Sequence, residues 1–192
     1  MTGGAPGATS SAGRTAPPRV LVLIGGLPGA GKTRLLARLL EHAPAEVEGL
    51  DSEQVAARLH GLGLRLPYPL LRPVVHVLHR VRVRWVLRGR RPVVVLTDPL
   101  TSARRRRSVI GSARRAGREI RLVLVEVDPA EARRGQAERR RGLGPRAMAR
   151  HVRRWRTARA EARGSGRLSG VPATVVTRSA AGTVTLEGLL AD

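Results

Sequence analysis

The chain alternates between short apolar blocks and longer segments whose apolar residues recur at helical spacing. Val20-Leu21-Val22-Leu23-Ile24 is an unbroken apolar run, the pattern of a strand buried on both faces. A glycine-rich turn follows. Leu35, Leu36, Leu39 and Leu40 then form one stripe of a helix from Thr33 to His42, ended by Pro44. Ala45 to Leu50 reads as a short second strand, and Asp51-Ser52 offers an N-cap for a helix starting near Glu53. Residues 61–73, rich in Gly and Pro, read as a loop. Val74, Leu78, Val81 and Trp85 fall at helical spacing, and Pro73 suits a helix start, so the pattern predicts a helix from Val74 to Arg88.

Pro92 to Leu96 is the third strand, stopped by Thr97-Asp98-Pro99. A basic helix runs from Arg104 to Ala116 and ends at Gly117, and Ile120 to Val127 is the fourth strand. Asp128-Pro129 supplies an N-cap and first helical residue for a helix to about Arg141. Gly142-Leu143-Gly144-Pro145 breaks it, and Arg146 to Arg163 is helical again. Residues 164–170 read as a loop, Ala173 to Thr177 as the last strand and Leu186 to Leu190 as a terminal helical turn. Apolar strands separated by helices imply an α/β fold with a parallel sheet, whose ligands bind at the carboxyl ends of the strands. Residues 1–18, rich in Gly, Ala, Ser, Thr and Pro, form a low-complexity tail expected to be disordered. Residues 19–192 are expected to form a single domain.

Composition sharpens this picture in three places. The chain has no cysteine, which removes disulfides, thiolate metal sites and cysteine nucleophiles. It has no apolar run long enough to span a bilayer and no signal-peptide layout at its start, so the expectation is a soluble cytoplasmic protein without membrane partners, a monomer or weak dimer. The net charge is +22, and Lys32 is the only lysine among the 36 basic residues. GC-rich codons account for arginine over lysine but not for so few carboxylates. A surface this positive attracts polyanions, so nucleic acid is a candidate partner.

The strongest chemical signal is Gly26-Leu27-Pro28-Gly29-Ala30-Gly31-Lys32-Thr33, a complete G-x-x-x-x-G-K-[ST] phosphate loop between a strand and a helix. Its glycines let successive N–H groups converge on phosphate oxygens. Lys32 supplies a compact point charge to the β- and γ-phosphates, the one place in this chain where a guanidinium would not serve. The Thr33 hydroxyl is placed to ligate magnesium, and Arg34 follows it at the positive end of the helix. No guanine-reading motif is present, so ATP is the expected nucleotide.

Phosphoryl transfer also needs a carboxylate that holds magnesium through water or takes the acceptor's proton. Asp51 follows the second strand and Asp98 the third, and either can do either task. Arginines closing over the site meet the developing charge, and Arg133, Arg134, Arg139, Arg140 and Arg141 sit where a lid is expected, at about residues 130–150. His76, His79 and His151 lack metal-ligand spacing and read as surface or core residues, and Trp85 and Trp155 as packing residues.

From Leu23 to Thr33 the sequence resembles the phosphate loop of the small P-loop kinases, the group of polynucleotide kinase, chloramphenicol phosphotransferase, zeta toxins and gluconate kinase, with members often labelled AAA-family ATPases. The resemblance extends to Asp51 after the second strand, the Val93 to Asp98 strand, the Arg104 to Arg107 helix and the segment from Val123 to Arg141, covering roughly residues 19–178. It implies a three-layer P-loop fold with five parallel strands in the order 2-3-1-4-5 and helices on both faces. It also implies that Asp51 orients or deprotonates an acceptor hydroxyl, that the arginine cluster at 133 to 141, with Arg134 and Arg139, forms the lid, and that residues 52–90 bind the acceptor. Relatives often carry an arginine three residues after the aspartate, where this chain has Gln54.

The leading expectation is an ATP- and magnesium-dependent kinase: Gly26 to Arg34 bind the nucleotide, Thr33 and Asp98 hold the metal, and Lys32, Asp51, Arg134 and Arg139 carry the chemistry. Its acceptor is a small molecule or nucleotide. The alternatives are a nucleic-acid 5′-hydroxyl kinase and a nucleotide-dependent switch ATPase without an acceptor. Arginines along a groove leading to Asp51 would favour nucleic acid; a closed, partly apolar pocket there would favour a small acceptor.

Overall fold

The structure, a computed structural model, describes residues 18–63, 68–137 and 143–191, with backbone alone at residues 68–70 and 72. In chain order the elements are β1 (Arg19–Gly26), α1 (Lys32–Glu41), β2 (Val47–Leu50), α2 (Ser52–Gly61), α3 (Tyr68–Arg88) and β3 (Val93–Thr97). These are followed by α4 (Ala103–Arg115), β4 (Arg118–Glu126), α5 (Pro129–Ala137), α6 (Pro145–Ser165), β5 (Arg167–Leu168), β6 (Val171–Thr177) and α7 (Leu186–Ala191). The strands form one sheet in the order β2-β3-β1-β4-β6-β5.

All pairings from β2 to β6 are parallel. Counted among themselves, these five strands run 2-3-1-4-5, as the resemblance implies. The sixth strand corrects the expected count. β5 pairs with β6 antiparallel through a two-residue turn, Ser169-Gly170, whose φ values of 54° and 74° are those of a tight hairpin. Residues 164–170 read as a loop from sequence because a two-residue strand carries no periodicity; fully buried Leu168 fixes it to the core.

A second correction concerns α3, which begins at Tyr68 and runs through Pro73. The Gly/Pro composition argued for a loop, but Leu71 and Val75 are buried against Val55 and Ala56 of α2 in a small satellite core. That tertiary packing carries the helix past the proline. Trp155 is buried as a packing residue should be, whereas Trp85 stands 76% exposed on α3, so its packing role is not borne out.

β1 lies at the centre of the sheet, between β3 and β4, and Leu21 through Ile24 are inaccessible to solvent. Each such side chain contributes roughly 1.5–3 kcal/mol of burial, which explains the unbroken apolar run. The strands end in a common row: Ile24 pairs with Thr97, Leu50 with Leu96, Gly26 with Val125 and Glu126 with Thr177. The loops leaving β1, β2 and β3 therefore emerge side by side at one edge. β1 is flanked by strands connected in opposite directions, the crevice at which α/β sheets bind ligands. Among the described residues no helix is long and apolar enough to cross a membrane.

Candidate functional site

The loop between β1 and α1 is built on left-handed glycines. Gly29 and Gly31 have φ of 89° and 93°, and a Cβ at Gly29 would lie 2.1 Å from the Ala132 carbonyl oxygen of α5. Gly135 meets the loop from the other side, its notional Cβ 2.8 Å from the Gly29 oxygen. Only hydrogen fits at either position. Gly31 caps α1, which has no acidic residue in its first turn, so the positive end of the helix is left for an anion. Lys32 Nζ donates to the carbonyls of Gly26 (3.1 Å) and Leu27 (2.8 Å), which holds the ammonium against the loop. Arg34 is exposed on α1.

Asp51 lies beside this loop. It is buried, and its Oδ2 accepts hydrogen bonds from the hydroxyls of Thr33 (2.9 Å) and Thr97 (2.7 Å). Its Oδ1 accepts from the Glu53 amide at 2.8 Å, and Gln54 Oε1 receives the Asp51 amide at 3.4 Å, so the same residue also caps α2. One carboxylate thus ties together the starts of α1 and α2 and the end of β3. Three donors hold it in one orientation.

Asp98 is likewise buried at the end of β3. It accepts the Leu100 amide at 2.9 Å and forms an ion pair with Arg105 of α4. His79 of α3 is buried near both carboxylates with no hydrogen-bond partner at Nδ1. Burial lowers its pKa to about 4, assisted by the Arg105 charge and opposed by Asp98 and Asp51, so the ring is neutral near pH 7. The position three residues after Asp51 is Gln54, and there Arg82 of α3 donates to Gln54 Oε1 at 2.6 Å and to Glu48 at 3.0 Å. Periodicity gave no sign of this; Arg82 is one of 35 arginines, distinguished only by the packing of α3 on α2.

The expected lid divides. Arg133 and Arg134 are exposed on α5, the helix whose Ala132 and Gly135 lie against the loop. Arg139, with Arg140 and Arg141, lies outside the described residues. Two further arginines at the site were not singled out from the sequence. Arg105 reaches Asp98, and Arg178, at the end of β6, pairs with Glu131 at 2.8 Å and places Nε 3.9 Å from a notional Cβ on Gly31.

The cradle fits a nucleoside triphosphate: left-handed Gly29 and Gly31 turn the loop, and the start of α1 carries no acidic residue to compete with phosphate. The oxygen donors beside it, Thr33 and the two carboxylates, are of the hard type that magnesium takes.

Solved structures of other proteins share the fold, among them the following three. A chain of the PezAT chromosomal toxin–antitoxin system of Streptococcus pneumoniae superposes with a TM-score of 0.60 at 16% identity, over 86% of this chain and 70% of that one. A gluconokinase from Sinorhizobium meliloti gives 0.53 at 16% identity, over 91% and 92%. A chain of an RNA repair complex gives 0.59 at 17% identity, over 79% of this chain and 49% of that one. No curated protein matches the chain in sequence. The sequence profile of the AAA domain family matches residues 21–177, which takes in the phosphate loop, both buried aspartates and Arg105, and the chain belongs to that family, with the fold of the P-loop kinases.

Proposed function

We propose that the protein is an ATP- and magnesium-dependent phosphotransferase acting on a hydroxyl group. The observation that carries this reading is the buried hydroxyl–carboxylate cluster of Thr33, Asp51 and Thr97 beside the phosphate loop. A P-loop ATPase needs one carboxylate beside the loop to hold magnesium; with Asp98 buried nearby as well, Asp51 is free to face an acceptor, which supports a transferase.

In this reading the amides from Gly26 to Thr33 and the Lys32 ammonium hold the phosphates. Thr33 and Asp98, the latter through water, hold magnesium, which neutralises phosphate charge when bound. Asp51, fixed by its three donors, faces the acceptor and orients its hydroxyl. Positioning suffices because the transition state of phosphoryl transfer is loose and asks little of a base. The acceptor oxygen forms the new bond to phosphorus, the β–γ bridging bond breaks with its electron pair leaving on the nucleoside diphosphate, and the hydroxyl proton passes to Asp51. Arg134 and Arg139 are the proposed lid.

ATP turnover with magnesium tests this in wild type, Lys32→Ala and Asp51→Asn, with and without a panel of hydroxylated metabolites and single-stranded oligonucleotide. The expected result is acceptor-stimulated turnover that falls about a hundredfold or more in both variants. Tight ATP binding with no acceptor dependence, and indifference to Asp51→Asn, refutes the reading. The +22 charge supports a second version in which the hydroxyl belongs to a nucleic-acid end, and stimulation by oligonucleotide alone would select it.

A further inference from the structure

Between α3 and α4 runs a hollow of about 460 Å³, lined by Arg80 and Arg84 from α3 and by Arg104 and Arg105 from α4. Val83 and Val109 form its floor, Ser102, Ser108 and Ser112 complete its wall, and no carboxylate lines it. Among the described residues Arg80, Arg84 and Arg104 have no ion pair or hydrogen bond. Four like charges around one concavity repel each other unless an anion joins them. The first turn of α4 adds no acidic residue, and its N-cap Ser102 makes no capping bond, so the positive end of that helix also faces this region.

One residue joins the hollow to the site. Arg105 belongs to its lining and, through its other contact, is paired with Asp98. Asp98 follows Thr97, whose hydroxyl is bonded to Asp51. A molecule held by Arg80, Arg84 or Arg104 that reaches past Arg105 would meet Asp98 and, next to it, the Thr97–Asp51 pair.

We propose that this hollow binds a phosphate group, and that the acceptor is a small phosphorylated molecule whose free hydroxyl lies towards Asp98 and Asp51. The acceptor half of the statement rests on the phosphotransferase reading; the anion site does not. The volume is that of a small-molecule pocket rather than a strand-length groove, and planar guanidinium forks suit phosphate oxygens. The three outer arginines hold the phosphate, and Arg105 sits between it and the reacting end.

The test keeps the phosphate loop filled with magnesium and a non-hydrolysable ATP analogue, then titrates inorganic phosphate and ribose 5-phosphate, with ribose as the uncharged control. Wild type is compared with Arg84→Gln/Arg104→Gln, whose folding is checked by thermal unfolding and whose analogue binding serves as the internal control. The expected result is second-site binding of both phosphates, absent for ribose, and weakened about tenfold or more in the double variant. Turnover is then compared between phosphorylated acceptors and their dephosphorylated counterparts, and only the former should stimulate it in an arginine-dependent way. Equal phosphate binding by wild type and variant overturns the site. Arginine-dependent binding of a single-stranded oligonucleotide but of neither small phosphate overturns the small-acceptor assignment. Arginine-dependent phosphate binding without stimulated turnover by any acceptor overturns the acceptor role alone. Failure of the ATP analogue to bind would instead count against the phosphotransferase reading.

Discussion

The contact between Gly29 and α5 makes the sharpest prediction. In Gly29→Ala the new methyl meets the Ala132 carbonyl oxygen at 2.1 Å, and this neighbour is backbone in a helix, which cannot rotate away. The residue would also hold φ near 89°, which costs an L-residue about 1–2 kcal/mol. Relieving the overlap needs the loop or α5 to move by about an ångström, at the cost of about 1–3 kcal/mol typical of overpacking. The sum is about 2–5 kcal/mol, divided between stability and nucleotide affinity according to which partner yields. Gly31→Ala is the control. Its φ of 93° carries the same backbone cost, but the nearest atom to its Cβ is Arg178 Nε at 3.9 Å. It should therefore lose only about 1–2 kcal/mol. Chemical unfolding and calorimetric titration with an ATP analogue, run on both variants, give the two components. If Gly29→Ala costs no more in total than Gly31→Ala, the loop is not held against α5 and the placement of Arg134 over the site loses its basis.

Two further outcomes follow from buried side chains. Arg118 is buried and donates to the carbonyls of Leu87 (2.8 Å) and Gly89 (3.2 Å) at the end of α3, which Arg19 also reaches, so Arg118→Met should destabilise the fold by about 1–3 kcal/mol through the lost buried hydrogen bonds, measured by urea unfolding. His79, with its pKa lowered from 6.5 to about 4, makes stability depend on pH. Below pH 6.5 the unfolded chain takes up a proton that the folded chain refuses, so stability is lost as pH falls from about 6.5 to about 4, by up to about 3 kcal/mol. In His79→Gln that extra slope should vanish; a slope equal to wild type would show that the ring is charged in the folded state.

The fold was legible where one residue type answers one physical demand. The apolar run of β1, the glycines of the loop and the Asp128-Pro129 helix start each have a local cause, and each is found where the pattern puts it. Sequence alone places the start of α3 too late, because Pro73 is a local signal whereas the burial of Leu71 and Val75 against α2 is not. The candidate site was half legible. Asp51 and Asp98 were visible as aspartates following strands, but the hydroxyl bridge through Thr97 depends on strand order, which brings residues 33, 51 and 97 together. Arg105 and Arg82 could not be chosen from sequence at all, since nothing in spacing separates them from their neighbours.

The structure gives the excess of arginine two separate explanations. At the amino end of the sheet Arg19 and Arg118 fan across the last carbonyls of α3, where the helix dipole is negative and several acceptors converge. One ammonium with three compact donors could not span carbonyls spread over Leu87, Gly89 and Ala116, so these positions require the guanidinium for reach and not for charge. At the other end of the sheet the buried Arg106 likewise serves a carbonyl, that of Leu100, and bonds Ser169. Around the hollow, Arg80, Arg84 and Arg104 have, among the described residues, no carbonyls to serve and no carboxylates, whereas Arg82 and Arg105 on the same two helices are paired with Glu48 and Asp98. Codon bias can supply arginines to a surface, but it would scatter them without regard to whether partners are present. A set that is satisfied at the floor of the sheet and unsatisfied around a hollow beside Asp98 divides along the line between holding the fold and binding an anion.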